Sequence, residues 1–122
     1  MRKYSGPRGI AFSAATPWGD VVLQGEGADT VAAGRRILLL VDLGGNDAYA
    51  AGGGNVDFRQ PASVLIDLAG DDAYAADAQA PAAFGGGILG YGFLIDAAGD
   101  DQYRASEFAQ GAAVFGAGGL WD

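Results

Sequence analysis

Cysteine and histidine are both absent from this 122-residue chain. Without cysteine there is no disulfide framework and no thiolate chemistry. Without histidine the commonest general base and metal ligand is missing. Ser-His-Asp and Cys-His catalysis go with it. Positive charge is scarce: seven Lys+Arg stand against fifteen Asp+Glu, for a net charge of −8. Nucleic acids and anionic membranes need basic patches, so neither is expected as a partner. No run approaches the roughly 18 apolar residues of a membrane helix, so no membrane insertion is expected. The longest run, Ile37 to Val41, is strand-sized. The stretch from Met1 to Pro7 has positive charge but no apolar h-region, so no signal peptide is expected there. A cysteine-free chain suits the cytosol or the bacterial exterior, and the compartment stays open.

Glycine is abundant, at 22 of 122 residues, far above the usual share of about 7%. No Gly-X-Y triplet accompanies it, so the glycines point to repeated tight turns or close backbone packing. They belong to an internal repeat. Leu39-Leu40-Val41-Asp42-Leu43-Gly44-Gly45-Asn46-Asp47-Ala48-Tyr49 aligns with Val64 to Tyr74 and with Phe93 to Tyr103. Val21 to Val31 is a degenerate earlier copy, and Gly119-Leu120-Trp121-Asp122 opens a last one. Every full copy keeps one glycine (Gly27, Gly45, Gly70, Gly99) and one aspartate (Asp29, Asp47, Asp72, Asp101).

The glycine spacings are 18, 25 and 29 residues. Short β-branched and aromatic runs broken by glycine fit strands better than helices. Three strands per repeat are predicted: the apolar run, the residues after the acidic turn, and a glycine-alternating segment such as Gly90-Tyr91-Gly92-Phe93 or Gly116-Ala117-Gly118-Gly119. The expected fold is all-β. It is a single right-handed parallel β-helix, or β-solenoid, of three to four irregular coils of about 25–29 residues. Residues 1–19 are read as an N-terminal cap or added strand, and residues 20–122 as the repeats, the last one truncated. Strand alternation places Val64, Ile66 and Leu68 on the core face, with Leu65 and Asp67 facing outward or towards the turn.

Stacked repeats turn copies into columns about 4.8 Å apart. One column is Asp42, Asp67, Asp96 and Asp122. The second is Asp29, Asp47, Asp72 and Asp101, and the third Asn46, Asp71 and Asp100. Like charges about 5 Å apart repel by roughly 3 kcal/mol at an effective dielectric near 20. Three outcomes relieve this. The carboxylates splay into water, or accept backbone N–H groups as Asx-turns do, or hold cations between repeats. Hard oxygen donors without His or Cys select Ca²⁺ over zinc or copper. The candidate ligands are Asp29, Asp42, Asp47, Asp67, Asp71, Asp72, Asp96, Asp100 and Asp101. Tyr49, Tyr74 and Tyr103 form a fourth column, read as a structural aromatic ladder.

Two resemblances follow from the same turns. Gly25-Glu26-Gly27-Ala28-Asp29-Thr30-Val31 resembles the core of an RTX-type calcium repeat, Gly-x-Gly-x-Asp before an apolar residue. Gly45 to Tyr49, Gly70 to Tyr74 and Gly99 to Tyr103 are similar. The resemblance implies Ca²⁺ held between neighbouring coils, with Asp29, Asp47, Asp72 and Asp101 as ligands. RTX repeats recur every nine residues, whereas these are two to three times longer. Gly44-Gly45-Asn46-Asp47 resembles an oxyanion block of the SGNH hydrolases. That chemistry needs a serine and a histidine, and Asn46 is replaced by Asp71 and Asp100 in the other copies, so a repeat position accounts for it.

The expected function is a structural or interaction scaffold, calcium-stabilised and self-associating through its open end. Association end to end, or with the remainder of a longer chain, is the expected partnership, and the calcium reading favours the cell surface. The alternative is a polysaccharide-processing lyase or hydrolase of the β-helix type, working with Asp, Lys and Arg. Adjacent carboxylates such as Asp71 and Asp72 point to opposite strand faces, which weakens them as an acid–base pair.

Overall fold

A computed structural model describes residues 10–54, 59–76, 83–88, 90–104, 110–113 and 116–122. Ten strands are formed: β1 (Ile10–Thr16), β2 (Gly19–Gln24), β3 (Thr30–Val31), β4 (Ile37–Asp42), β5 (Ala48–Tyr49), β6 (Ala62–Asp67), β7 (Ala73–Ala75), β8 (Tyr91–Asp96), β9 (Gln102–Arg104) and β10 (Ala117–Trp121). No helix occurs among the described residues. The strands build a six-stranded sheet, ordered β1-β2-β4-β6-β8-β10, and a four-stranded sheet, ordered β3-β5-β7-β9.

This corrects the expected single right-handed parallel β-helix. The larger sheet is mixed, because β1 runs antiparallel to β2. The chain reverses through Pro17 and Trp18 into Gly19, whose φ of +122° an L side chain rarely adopts. Among the described residues the predicted third strand of each repeat is not formed. Gly90 to Phe93 leads into β8, and Gly116 to Gly119 into β10, so both belong to the larger sheet. Between the two sheets' strands the described residues hold one isolated bridge, Gly87 to Ala113. The related residues Leu89, Ala109, Val114 and Phe115 lie outside the described residues, as do residues 1–9 of the proposed cap.

Within the two sheets the copies pair in the register of their alignment. Leu40 pairs with Leu65 and Leu65 with Leu94, while Asp42 pairs with Asp67 and Asp67 with Asp96. Tyr49 pairs with Tyr74, and Tyr74 with Tyr103. Val22, Leu40, Leu65 and Leu94 line the inner face of the larger sheet, each 1% exposed or less. They join Val31, Tyr49 and Tyr74 of the smaller sheet in one core, with Phe84 edge-on to Tyr74. Each such leucine contributes roughly 1.5–3 kcal/mol by leaving water.

The facing is the reverse of the expected one. Leu65 and Asp67 are fully buried, while Val64 and Ile66 are half-buried on the outside and Leu68 is 43% exposed. The outer face therefore carries two apolar rows. One runs Val21, Leu39, Val64, Phe93; the other Leu23, Val41, Ile66, Ile95, Trp121. Both faces of each strand are apolar, so alternation alone does not orient it.

Candidate metal centre

Each repeat ends its long strand in an aspartate, turns through glycine, and starts its short strand after a second aspartate. The turn needs glycine for two reasons. Gly45, Gly70 and Gly99 have φ between +141° and +148°. A Cβ on Gly70 would also overlap the carbonyl oxygen of Gly45, and one on Gly99 that of Gly70. The turns stack so closely that only a hydrogen fits.

The strand aspartates fix the turns. Asp42 Oδ1 accepts the Gly44 N–H at 2.9 Å, Asp67 Oδ1 the Ala69 N–H at 3.1 Å, and Asp96 Oδ1 the Ala98 N–H at 3.3 Å. The turn aspartates tie one repeat to the previous one. Asp47 Oδ1 accepts the Asp29 N–H at 2.6 Å, Asp72 Oδ1 the Asp47 N–H at 2.7 Å, and Asp101 Oδ1 the Asp72 N–H at 2.8 Å.

The second oxygens divide sharply. Those of the strand aspartates meet tyrosine hydroxyls. Tyr49 Oη lies 2.9 Å from Asp42 Oδ2 and 2.6 Å from Asp67 Oδ2. Tyr74 donates to Asp96 Oδ2 at 2.8 Å, and Tyr103 approaches the same oxygen at 3.4 Å. The three rings stack 4.9 and 4.8 Å apart. A phenol has one proton to give, so Tyr49 cannot fully satisfy two carboxylates at once. Those of the turn aspartates face other carboxyls rather than a hydroxyl or N–H donor. Oδ2 of Asp29, Asp47, Asp72 and Asp101 is buried and accepts no hydrogen bond from the protein.

The strand and turn aspartates converge. Carboxylate oxygens of Asp29, Asp42 and Asp47 lie within 4.8 Å of one another, as do those of Asp47, Asp67 and Asp72, and those of Asp72, Asp96 and Asp101. Each triad joins two successive turn aspartates to the strand aspartate of the later repeat. Asp47 and Asp72 serve two triads each. Burial raises the pKa of all seven carboxyls above the ordinary aspartate value, against the pull of their backbone donors where those exist. Asp42 is pushed up to about 7 and Asp72 to about 8, first by burial. Burial and the facing carboxylates raise the three tyrosines as well, keeping them neutral donors.

Seven of the nine candidate ligands are thus brought together. Asp71 and Asp100 are not. They form a separate exposed ladder, in which Asn46 Oδ1 accepts the Asp71 N–H at 3.1 Å and Asp71 Oδ1 the Asp100 N–H at 3.0 Å. Sequence reasoning assigned the tyrosines to packing and missed their hydroxyls. A signal exists: each tyrosine follows its strand aspartate by seven residues. The degenerate copy loses both together, with Gln24 and Val31 at the two positions.

No family model matches this chain, and no curated protein or solved structure does.

Proposed function

We propose that the protein is a structural scaffold whose acidic turns are locked by Ca²⁺ held between successive repeats, and that it associates with copies of itself. The observation that carries this reading is the buried Oδ2 of Asp47 and Asp72. Each residue is at most 3% exposed, each Oδ2 lacks a hydrogen-bond donor, and each side chain belongs to two triads. An ionised carboxylate buried without a partner costs several kcal/mol. A cation in each triad removes that cost.

The donor set supports calcium. It is all oxygen, with no His or Cys anywhere in the chain. Oxygens about 2.3–2.6 Å from a Ca²⁺ are separated by at most about 5 Å, which accommodates the observed clusters. Three dications would offset six of the seven negative charges in the triads. Extracellular calcium modules bind at about 10⁻⁴–10⁻³ M, so the reading favours the cell exterior.

Protons are the rival means of neutralising these carboxyls, and thermal unfolding separates the two. After dialysis against chelator, millimolar Ca²⁺ should raise the midpoint by mass action, and Mg²⁺ should do so much less. An unchanged midpoint near pH 7 would leave the carboxyls as protonated turn builders and remove the calcium reading.

A further inference from the structure

The two apolar rows on the outer face of the six-stranded sheet are explained neither by the core nor by the carboxylate clusters. The rows are contiguous and free of charged side chains. At their β10 end Trp121 and Tyr91 are 55% and 57% exposed. Phe93 lies between them, its ring 5.8 Å from Trp121 and 6.3 Å from Tyr91. Six strands about 4.8 Å apart and six residues at about 3.3 Å each give a footprint of roughly 570 Å². This is the area of the whole sheet face, and it lies within the roughly 300–600 Å² of the largest patch on a typical monomer, a size that often marks a functional surface.

We propose that this face is the contact surface of a homodimer, in which a second copy packs face to face with its strands antiparallel to the first. This goes beyond the calcium reading and does not depend on it.

The charges around the face select the occupant and its orientation. The parallel strands all point the same way, so the two rims of the face differ. Exposed Arg36 precedes β4 at the rim where the strands begin. Among the described residues Asp20 lies at the same rim, held by Arg35 at 3.3 Å. Exposed Asp71 and Asp100 follow β6 and β8 at the opposite rim. A two-fold axis in the plane of contact, along the direction of strand stacking, lays the basic rim of each copy beside the acidic rim of the other. It does so twice, as an isologous interface requires. The net charge of −8 opposes most encounters between copies, but the contact centre is uncharged and the rims are complementary. Two footprints bury roughly 1,100–1,200 Å², the lower end of specific interfaces, so the dimer is reversible.

Sedimentation velocity of the full chain tests this across about 1–200 µM, a span suited to a dissociation constant of tens of micromolar. The wild type should move from monomer to dimer. Val64→Lys, at the centre of the rows, should remain monomeric with an unchanged circular dichroism spectrum. Tyr91→Lys replaces a side chain already in water, so folding survives, and it should weaken association by about tenfold or more. Arg36→Glu should weaken the dimer, and adding Asp71→Arg to the same chain should restore it. A wild type monomeric throughout the range overturns the proposal. So does a dimer that ignores Val64→Lys and Tyr91→Lys but is lost on Ala117→Pro, which would place the contact on the β10 edge instead.

Discussion

The hydroxyl of Tyr49 stands 2.6 Å from Oδ2 of Asp67, a carboxylate of the following repeat that is itself fully buried. The contact joins the two sheets and two repeats at once. Tyr49→Phe keeps the ring stack and removes the donor, leaving Asp67 and Asp42 short of a partner. The expected loss is about 1–3 kcal/mol, the cost of orphaning buried polar groups. Urea unfolding should show a lower midpoint at an unchanged slope.

Gly70 and Gly34 separate backbone strain from steric exclusion. Both have positive φ, but a Cβ on Gly34 meets nothing within 4 Å, whereas one on Gly70 overlaps a carbonyl of the preceding turn. Gly34→Ala should cost only the strain of its backbone conformation, about 1 kcal/mol. Gly70→Ala should separate the stacked turns and leave little folded protein at 25 °C. Far-ultraviolet circular dichroism and thermal melts of the two variants check the contrast.

Sharing of ligands predicts a graded response to substitution. Asp47 belongs to two triads, Asp29 to one, and Asp71 to none. Under the calcium reading, Asp47→Asn should abolish more bound Ca²⁺ per chain than Asp29→Asn. Asp71→Asn should leave the number unchanged. Equilibrium dialysis with radioactive calcium counts the ions directly, and equal losses for all three variants would contradict the shared geometry.

The raised carboxyl pKa values give the metal-free protein an unusual pH profile. A carboxyl whose pKa is higher in the folded state binds more protons there than in the unfolded chain. Between the ordinary aspartate value and the 7 to 8 reached by Asp42 and Asp72, stability therefore falls as pH rises. In chelator, the melting temperature should be several degrees higher at pH 5 than at pH 8. Saturating Ca²⁺ should flatten or reverse the trend, because it binds the deprotonated form.

The register of the strands was legible in the sequence. Asp42, Asp67 and Asp96 pair as their alignment places them, and so do the degenerate Val21–Val31 copy and Gly119 to Trp121. The orientation was not. In Val64-Leu65-Ile66-Asp67-Leu68 the apolar residues fall on both faces, and a carboxylate looks like a solvent marker. Asp67 turns inward because the Ala69 N–H and the Tyr49 hydroxyl await it there. Those partners become visible only once the turn is closed. The number of sheets was not legible either. Gly92 marks where β8 approaches the Gly86 and Gly53 carbonyls, not a separate strand.

The repeats differ in length, yet the stretch from strand aspartate to tyrosine never does. All the variation falls between the tyrosine position and the next long strand, as from Val31 to Ile37, Tyr49 to Ala62 and Tyr74 to Tyr91. One flank of the molecule thus keeps a fixed pitch while the other takes connections of three different lengths. Copying or deleting a repeat would add or remove one rung of tyrosine and one carboxylate triad.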